Sequence, residues 1–465
     1  MKTVTALSYL LFVSVLFFAC KKDSFITSPD ASVFITADTV KYDTVFVAAG
    51  SVTQSFKIIN ENNQKLRLSS VKLMGGTASK YKMNVDGVPT TEASNIEIEA
   101  NDSIYVFVQV NVDPNAANLP FVIRDSIQVS YNGKDELVQL EAWGQNAHFF
   151  RNKEVLTNET WTNDIPYVIL GYLYVDINQT LTIEKGCRVY VHADAPIIID
   201  GTLKVNGEKD TVDRVYFRGD RMDEPYRDYP AAWPGIYFRA DSKNNVLNYA
   251  VIKNSFQSIA AEGPAPGGPK VTLNQCHIDN SYDAGIIAIN SSIKATNCLI
   301  SNCGKNIAIG KGGDYEFTHC TIVSYPSQFL DHKEPVVTLN DRDGNNAAIL
   351  NALFQNCIIW GESEGVESEV GIDRIGSNGT VTFDQVLWKM KTIPPGITIT
   401  PPEPINNQSP QFDTIDVSEN YYDFRLNTRN SPAIDTAKNL GISIDFDGNP
   451  RPVGLKPDLG CFEKQ

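Results

Sequence analysis

The chain has 465 residues and a formal charge of −15. It is too long for one ordinary hydrophobic core, so two folded units or a repeating architecture are expected. The negative balance excludes a partner held through its phosphate backbone, which needs clustered lysine and arginine, and nucleic acid is not an expected ligand. Five scattered histidines without HxH or HxxxH spacing exclude a histidine-rich metal centre.

At the N-terminus Lys2 is followed by an apolar run from Val4 to Ala19 and then by Cys20. Sixteen residues fall short of the ~20 that span a bilayer as a helix. The segment resembles bacterial lipoprotein signal peptides, although Phe17 stands where an aliphatic residue is usual. The resemblance implies that residues 1–19 are removed, that Cys20 carries lipid, and that the protein sits at the outer membrane of a cell envelope, facing the periplasm or the surface. Residues 20–31 are polar and read as a tether.

From residue 32 to 147, strand-like runs alternate with turn clusters: YDTVFV, SFKIIN, LRLSSVKL, YKMNV, IEIEA, SIYVFVQVNV, DSIQVSY and LVQLEAWG. Runs at this spacing without helical periodicity predict a β-sandwich. Ser55–Asn60, the turn Glu61-Asn62-Asn63, Leu66–Leu73 and the Ala100-Asn101-Asp102-Ser103 step resemble bacterial immunoglobulin-like domains of the abnormal-spindle/hydin type. That resemblance implies a spacer or interaction module.

Residues 148–465 carry a repeat. NQCHIDN, TNCLISN, THCTIVS and QNCIIWG place Cys276, Cys298, Cys320 and Cys357 at intervals of 22, 22 and 37. Alternation along a strand puts each cysteine on one face with Ile278, Ile300, Ile322 and Ile359. Upstream on that face stand Leu247, Leu273, Ala295, Phe317 and Phe354, and NYAVIKN contributes Ala250 and Ile252 as an earlier rung. A strand at fixed phase with a period near 22 predicts a solenoid whose coils bury their faces against one another. The preceding LTIEKGCRVYVHADAPIIIDGTLKVNG resembles the first coils of right-handed parallel β-helices of the pectate-lyase-like fold. The expected fold class is therefore all-β, a sandwich followed by a right-handed parallel β-helix.

Without Cys20, seven cysteines remain. An odd number in ladder register reads as core, not as disulfides or a metal site. Four residues beyond each rung come Asn254, Asn280, Asn302, Ser324 and Gly361. Asparagine tolerates the left-handed backbone of a tight turn, and the resemblance implies a ladder bonded to the backbone of adjacent coils. The C-terminal stretches Tyr422–Leu426, Ser431–Asp435, Asp445–Pro452 and Pro457–Glu463 resemble a tail recurrent in secreted β-helix proteins. It is expected to cap the open end of the solenoid.

The chemistry is sparse. Asp445 and Asp447 resemble part of a calcium loop, but Lys456 occupies the twelfth position where an EF-hand has glutamate. A structural turn is the favoured reading, and a calcium ion, if bound, would brace the tail; no other cofactor is expected. The NTD, DD and GHG motifs of the fold's hydrolases and the arginine context of its lyases are absent. The insertion Gly219–Pro234 interrupts the coils with Arg221, Asp223, Tyr226, Asp228, Tyr229 and Trp233. Rings beside carboxylates and guanidinium groups are what a sugar site uses, although Trp233 is equally suited to packing the loop. The long interval before Cys357 marks a second excursion around residues 325–346. The expected function is glycan binding or interaction with another envelope protein, without catalysis. The alternatives are a polysaccharide lyase or glycoside hydrolase, and a structural adhesin.

Overall fold

Ile252, Ile278, Ile300, Ile322 and Ile359 stand opposite one another in consecutive parallel strands. Leu247, Leu273, Ala295, Phe317, Phe354 and Phe383 form a second continuous row. These rows belong to a computed structural model that describes residues 24–46, 52–111, 121–363, 365–427 and 430–465. Cys20 and the expected signal segment lie outside the described residues. The chain divides into two compact units, Met1–Asn146 and Ala147–Gln465.

The first unit has a six-stranded and a five-stranded sheet. In Ser103–Val110 the side chains of Ile104, Val106, Val108 and Val110 are buried while Tyr105 and Phe107 face out, the alternation of a sheet with one covered face. Two tyrosines tie the sheets together. The Tyr42 hydroxyl donates to the Val108 carbonyl at 2.5 Å and the Tyr81 hydroxyl to that of Ile123 at 2.9 Å. The expected tether is shorter than its sequence suggests. Phe25–Ile26 pairs in parallel with Lys65 and Leu66, and Asn132 Nδ2 donates to the carbonyls of Ile26 and Ser28.

In the second unit the strands of each coil stack in parallel on those of the coil before: Thr180–Glu184 pairs with Thr202–Asn206, Arg188–Val191 with Val215–Gly219, and Val271–Asn274 with Ala284–Thr296. The sheet winds through 26 strands as an all-β solenoid. Its interior is continuous. Phe317, Phe354 and Phe383 stack at 4.9 and 5.1 Å with nearly parallel rings, each ring burying enough area to contribute about 2 kcal/mol. The seven cysteines of the described residues are free and buried. The thiols of Cys276, Cys298, Cys320 and Cys357 donate to the carbonyls of Leu247, Leu273, Ala295 and Phe317. Each thiol thus helps hold one coil to the next, as a small apolar group with a weak donor.

Two rows of left-handed residues turn the corners. Asn254, Asn280 and Asn302 have φ of 63°, 55° and 49°. A second row, not anticipated from the sequence, stands just before each rung: Gln275, Asn297, His319, Asn356 and Gln385, with φ between 49° and 56°. Gly361 departs from the asparagine row for a steric reason. A Cβ there would strike Glu369 and His332, a fully buried pair 3.0 Å apart that pins the second excursion to the coils.

The C-terminal tail runs along the flank of several coils instead of closing the end. Phe424, Leu426, Ala433, Ala437, Phe446, Leu459 and Phe462 cover outward-facing Leu299, Val323, Ile358, Trp360 and Leu387. The second left-handed row holds it there: Asn297 donates to the Ile444 carbonyl, Asn356 to that of Lys438, and Gln385 to that of Thr436. Those outward apolar side chains need a lateral cover, and an end cap would leave them in water.

Candidate functional site

The asparagine turn does more than join coils. Asn254 Nδ2 donates to the Arg227 carbonyl at 2.7 Å, and Asn280 Nδ2 to that of Asp228 at 2.8 Å and to Asn254 Oδ1 at 2.9 Å. One coil on, Asn302 Oδ1 accepts from the Tyr325 backbone at 3.1 Å. Both excursions are therefore clamped to one edge of the solenoid. They meet there, with the rings of Tyr229 and Phe329 5.1 Å apart.

Between them lies a groove of about 780 Å3. Its floor comes from the strands Val215–Gly219, Ala250–Lys253 and His277–Asp279, and its walls from the Gly219–Pro234 loop, from residues 327–329 and from Glu419, Asn420 and Tyr422 of the tail. The tail wall is anchored: the Tyr422 hydroxyl donates to the Pro326 carbonyl at 3.0 Å and Gln328 Nε2 to that of Ser418 at 2.8 Å. On the floor Lys253 and Asp279 are 3.0 Å apart, and the Ser301 hydroxyl donates to Asp279 at 2.7 Å. Burial works against the Asp279 charge, but Lys253 and Ser301 help outweigh it and hold the carboxyl below the usual carboxylate range. Asp279 is thus a fixed acceptor and a poor proton donor.

Of the six candidate sugar contacts, Asp228 lines the groove. Arg221 grips Asp223 through two hydrogen bonds of 3.0 and 2.9 Å and lies 3.4 Å over the Tyr226 ring, so these three brace one another on the loop. Tyr226 and Tyr229, 5.2 Å apart, remain two-fifths exposed. Trp233 corrects the sequence reading. Its side chain is fully buried in the solenoid core and its indole N–H donates to the Lys253 carbonyl at 2.9 Å, so it anchors the loop and cannot stack on a sugar.

Asp445 and Asp447 are also committed to structure. Asp445 Oδ1 accepts from the backbone of Asp447 and Asn449, and Oδ2 from Glu463; Asp447 is paired with Arg214 and Arg425 at 3.3 and 2.8 Å. Among the described residues no three His, Cys, Asp or Glu side chains converge as ligands.

The sequence did not single out Lys253, Asp279, the tail residues 419–422, or the exposed pair Phe256 and Tyr282 at the same turn. Period and motif identify neither contacts across 100 residues nor which outward side chains go uncovered.

No protein-family model matches the chain, and no curated protein matches it. Among solved structures, a family 123 glycoside hydrolase from Clostridium perfringens aligns at 11% identity over 28% of this chain and 30% of that one, with a TM-score of 0.19. A likeness of that size carries no argument about activity.

Proposed function

We propose that the chain is a lipid-anchored cell-envelope protein whose solenoid binds a glycan without cleaving it, with the N-terminal sandwich serving as an immunoglobulin-like spacer. The groove carries this reading. Two excursions far apart in the chain are clamped over a rigid sheet to enclose a space of saccharide size, with fixed polar groups inside and aromatic rings around it. Asp279, held below the usual carboxylate range, acts there as an acceptor for sugar hydroxyls and is unsuited to be a general acid, which must hold its proton near the working pH.

A hydrolase is the second reading, favoured by the presence of Glu224, Asp228 and Glu419 around one groove, because glycoside hydrolysis needs a pair of carboxyl groups. Incubation with a panel of polysaccharides separates the cases. Retention without new reducing ends supports the binder; reducing ends that disappear in Asp228→Asn or Glu224→Gln establish the hydrolase; products with unsaturated ends absorbing in the ultraviolet establish a lyase. Neither retention nor product would leave the assembly-partner reading. The anchor is tested separately by Cys20→Ser, which should move the protein from the membrane to the soluble fraction. Unchanged fractionation removes the lipid from the proposal.

A further inference from the structure

We propose that the groove takes an uncharged glycan, a chain of neutral pyranose units, and that the stacked pair Phe256 and Tyr282, just past the asparagine turns that edge it, carries one sugar ring; this rests on the glycan-binding reading above. The first argument is charge. Arg218 and Lys253 line the groove with Glu224, Asp228, Asp279 and Glu419, and Arg227 of the same loop is salt-bridged to Glu224 at 2.7 Å and to Asp228 at 3.3 Å, three cations against four carboxylates, a formal −1. Two of the three cations are held by carboxylates, Lys253 by Asp279 at 3.0 Å and Arg227 by Glu224 and Asp228, while Arg218 donates to the Arg227 carbonyl at 3.2 Å. A polyuronate would bring a carboxylate on every sugar into this net negative field, where Arg218 is the one of these cations not already paired with a carboxylate. A neutral glycan brings hydroxyls, whose protons the carboxylates and asparagine oxygens accept.

The second argument is an apolar surface of the right kind. Phe256 and Tyr282 stand two residues beyond Asn254 and Asn280, whose amides edge the groove. Their rings are stacked 5.8 Å apart at 23° and are 40% and 54% exposed. In the next coil the same position is Gly304, where a Cβ would run into the Tyr282 carbonyl. No side chain can grow there, so the turn leaves one face of Tyr282 free of a neighbour from that coil. A ring face held rigid by a solenoid turn, beside fixed hydrogen-bonding groups, matches the C–H face of a pyranose and offers nothing to a carboxylate.

The test uses the full chain in low-salt buffer, with neutral gluco-, manno- and xylo-oligosaccharides and an oligogalacturonate of equal length as probes, and binding read by affinity electrophoresis and calorimetry. The expected result is tighter retention of at least one neutral probe than of the oligogalacturonate. Tyr282→Ala, a substitution of an exposed side chain, should weaken that retention about tenfold, the scale of one ring contact, with Phe256→Ala as a second variant and thermal melting as the folding control. Oligogalacturonate retained as tightly as the neutral probes, or neutral binding unchanged in Tyr282→Ala, overturns this inference while the glycan-binding reading stands. Retention of no probe by the wild-type chain overturns both.

Discussion

Two buried ionisable side chains show how single residues are used in the solenoid. Lys270 is fully buried, and its ammonium donates to the carbonyls of Arg239, Ala240 and Ser242 at 2.8, 2.9 and 2.8 Å. Three donors meet three acceptors, so the lysine closes a turn whose carbonyls would otherwise be orphaned. Lys270→Met should cost about 3 kcal/mol, the order of leaving such groups unsatisfied, measured by urea unfolding; a loss below about 0.5 kcal/mol would show that water replaces the ammonium freely. His319 is buried with the opposite requirement. Asn356 Nδ2 donates to His319 Nε2 at 2.9 Å, and the same amide is oriented by its bonds to the backbone of Lys438. The ring is therefore an acceptor and must be neutral. Burial, helped by Arg451, pushes its pKa from 6.5 down to about 3. The folded state binds fewer protons than the unfolded state between these values, so stability is fully present above about 6.5 and declines as pH falls toward 3. His319→Asn, which keeps a residue tolerant of the left-handed backbone, should flatten that decline in unfolding curves taken across the window. An unchanged pH slope would mean the ring escapes to solvent on protonation.

At the scale of elements, the turns are dual-purpose: each left-handed row reverses the chain and also grips a segment from elsewhere. Asn280→Gly preserves the backbone conformation and removes only the amide. It should make the Gly219–Pro234 loop more susceptible to protease while costing the solenoid about 1 kcal/mol; equal cleavage rates would show that Trp233 and Asn254 hold the loop without it. The tail is held by Arg451, buried with Glu463 at 3.0 Å and donating also to Asn297 and Gly460. Arg451→Met strands a buried carboxylate and should destabilise the tail by about 3–5 kcal/mol. The readout is binding of a hydrophobic dye to the uncovered Leu299, Val323 and Leu387 surface, and a second substitution, Glu463→Leu, should recover part of the loss. Much at this scale was legible beforehand. The strands at Cys276, Cys298, Cys320 and Cys357 follow from a period of two within a period near 22, which local geometry imposes. Phe25–Ile26 was not legible, because two residues carry no periodicity, and the second left-handed row was hidden by its mixture of Gln, Asn and His.

For the whole molecule, the solenoid has its own continuous core from Val155 to Met390, and stacked coils depend on their neighbours. A fragment spanning 147–465 should fold with the near-ultraviolet dichroism of its aromatic stacks intact; loss of that signal would show that the N-terminal unit is needed for its stability. The sequence by itself determined the coil: alternation and period act between residues close in the chain, so the Ile and Phe rows, the inward cysteines and the left-handed asparagines could all be read from order alone. It also marked both excursions, because each breaks the period. Only the tertiary structure decided that these excursions meet, that Trp233 turns inward while Tyr229 reaches Phe329, and that the tail lies along the flank and supplies a groove wall. Those outcomes depend on contacts between segments 20 to 100 residues apart in the chain. Such contacts are selected by which outward apolar and polar groups remain uncovered once the coils have stacked, and a strand's own residues do not encode that.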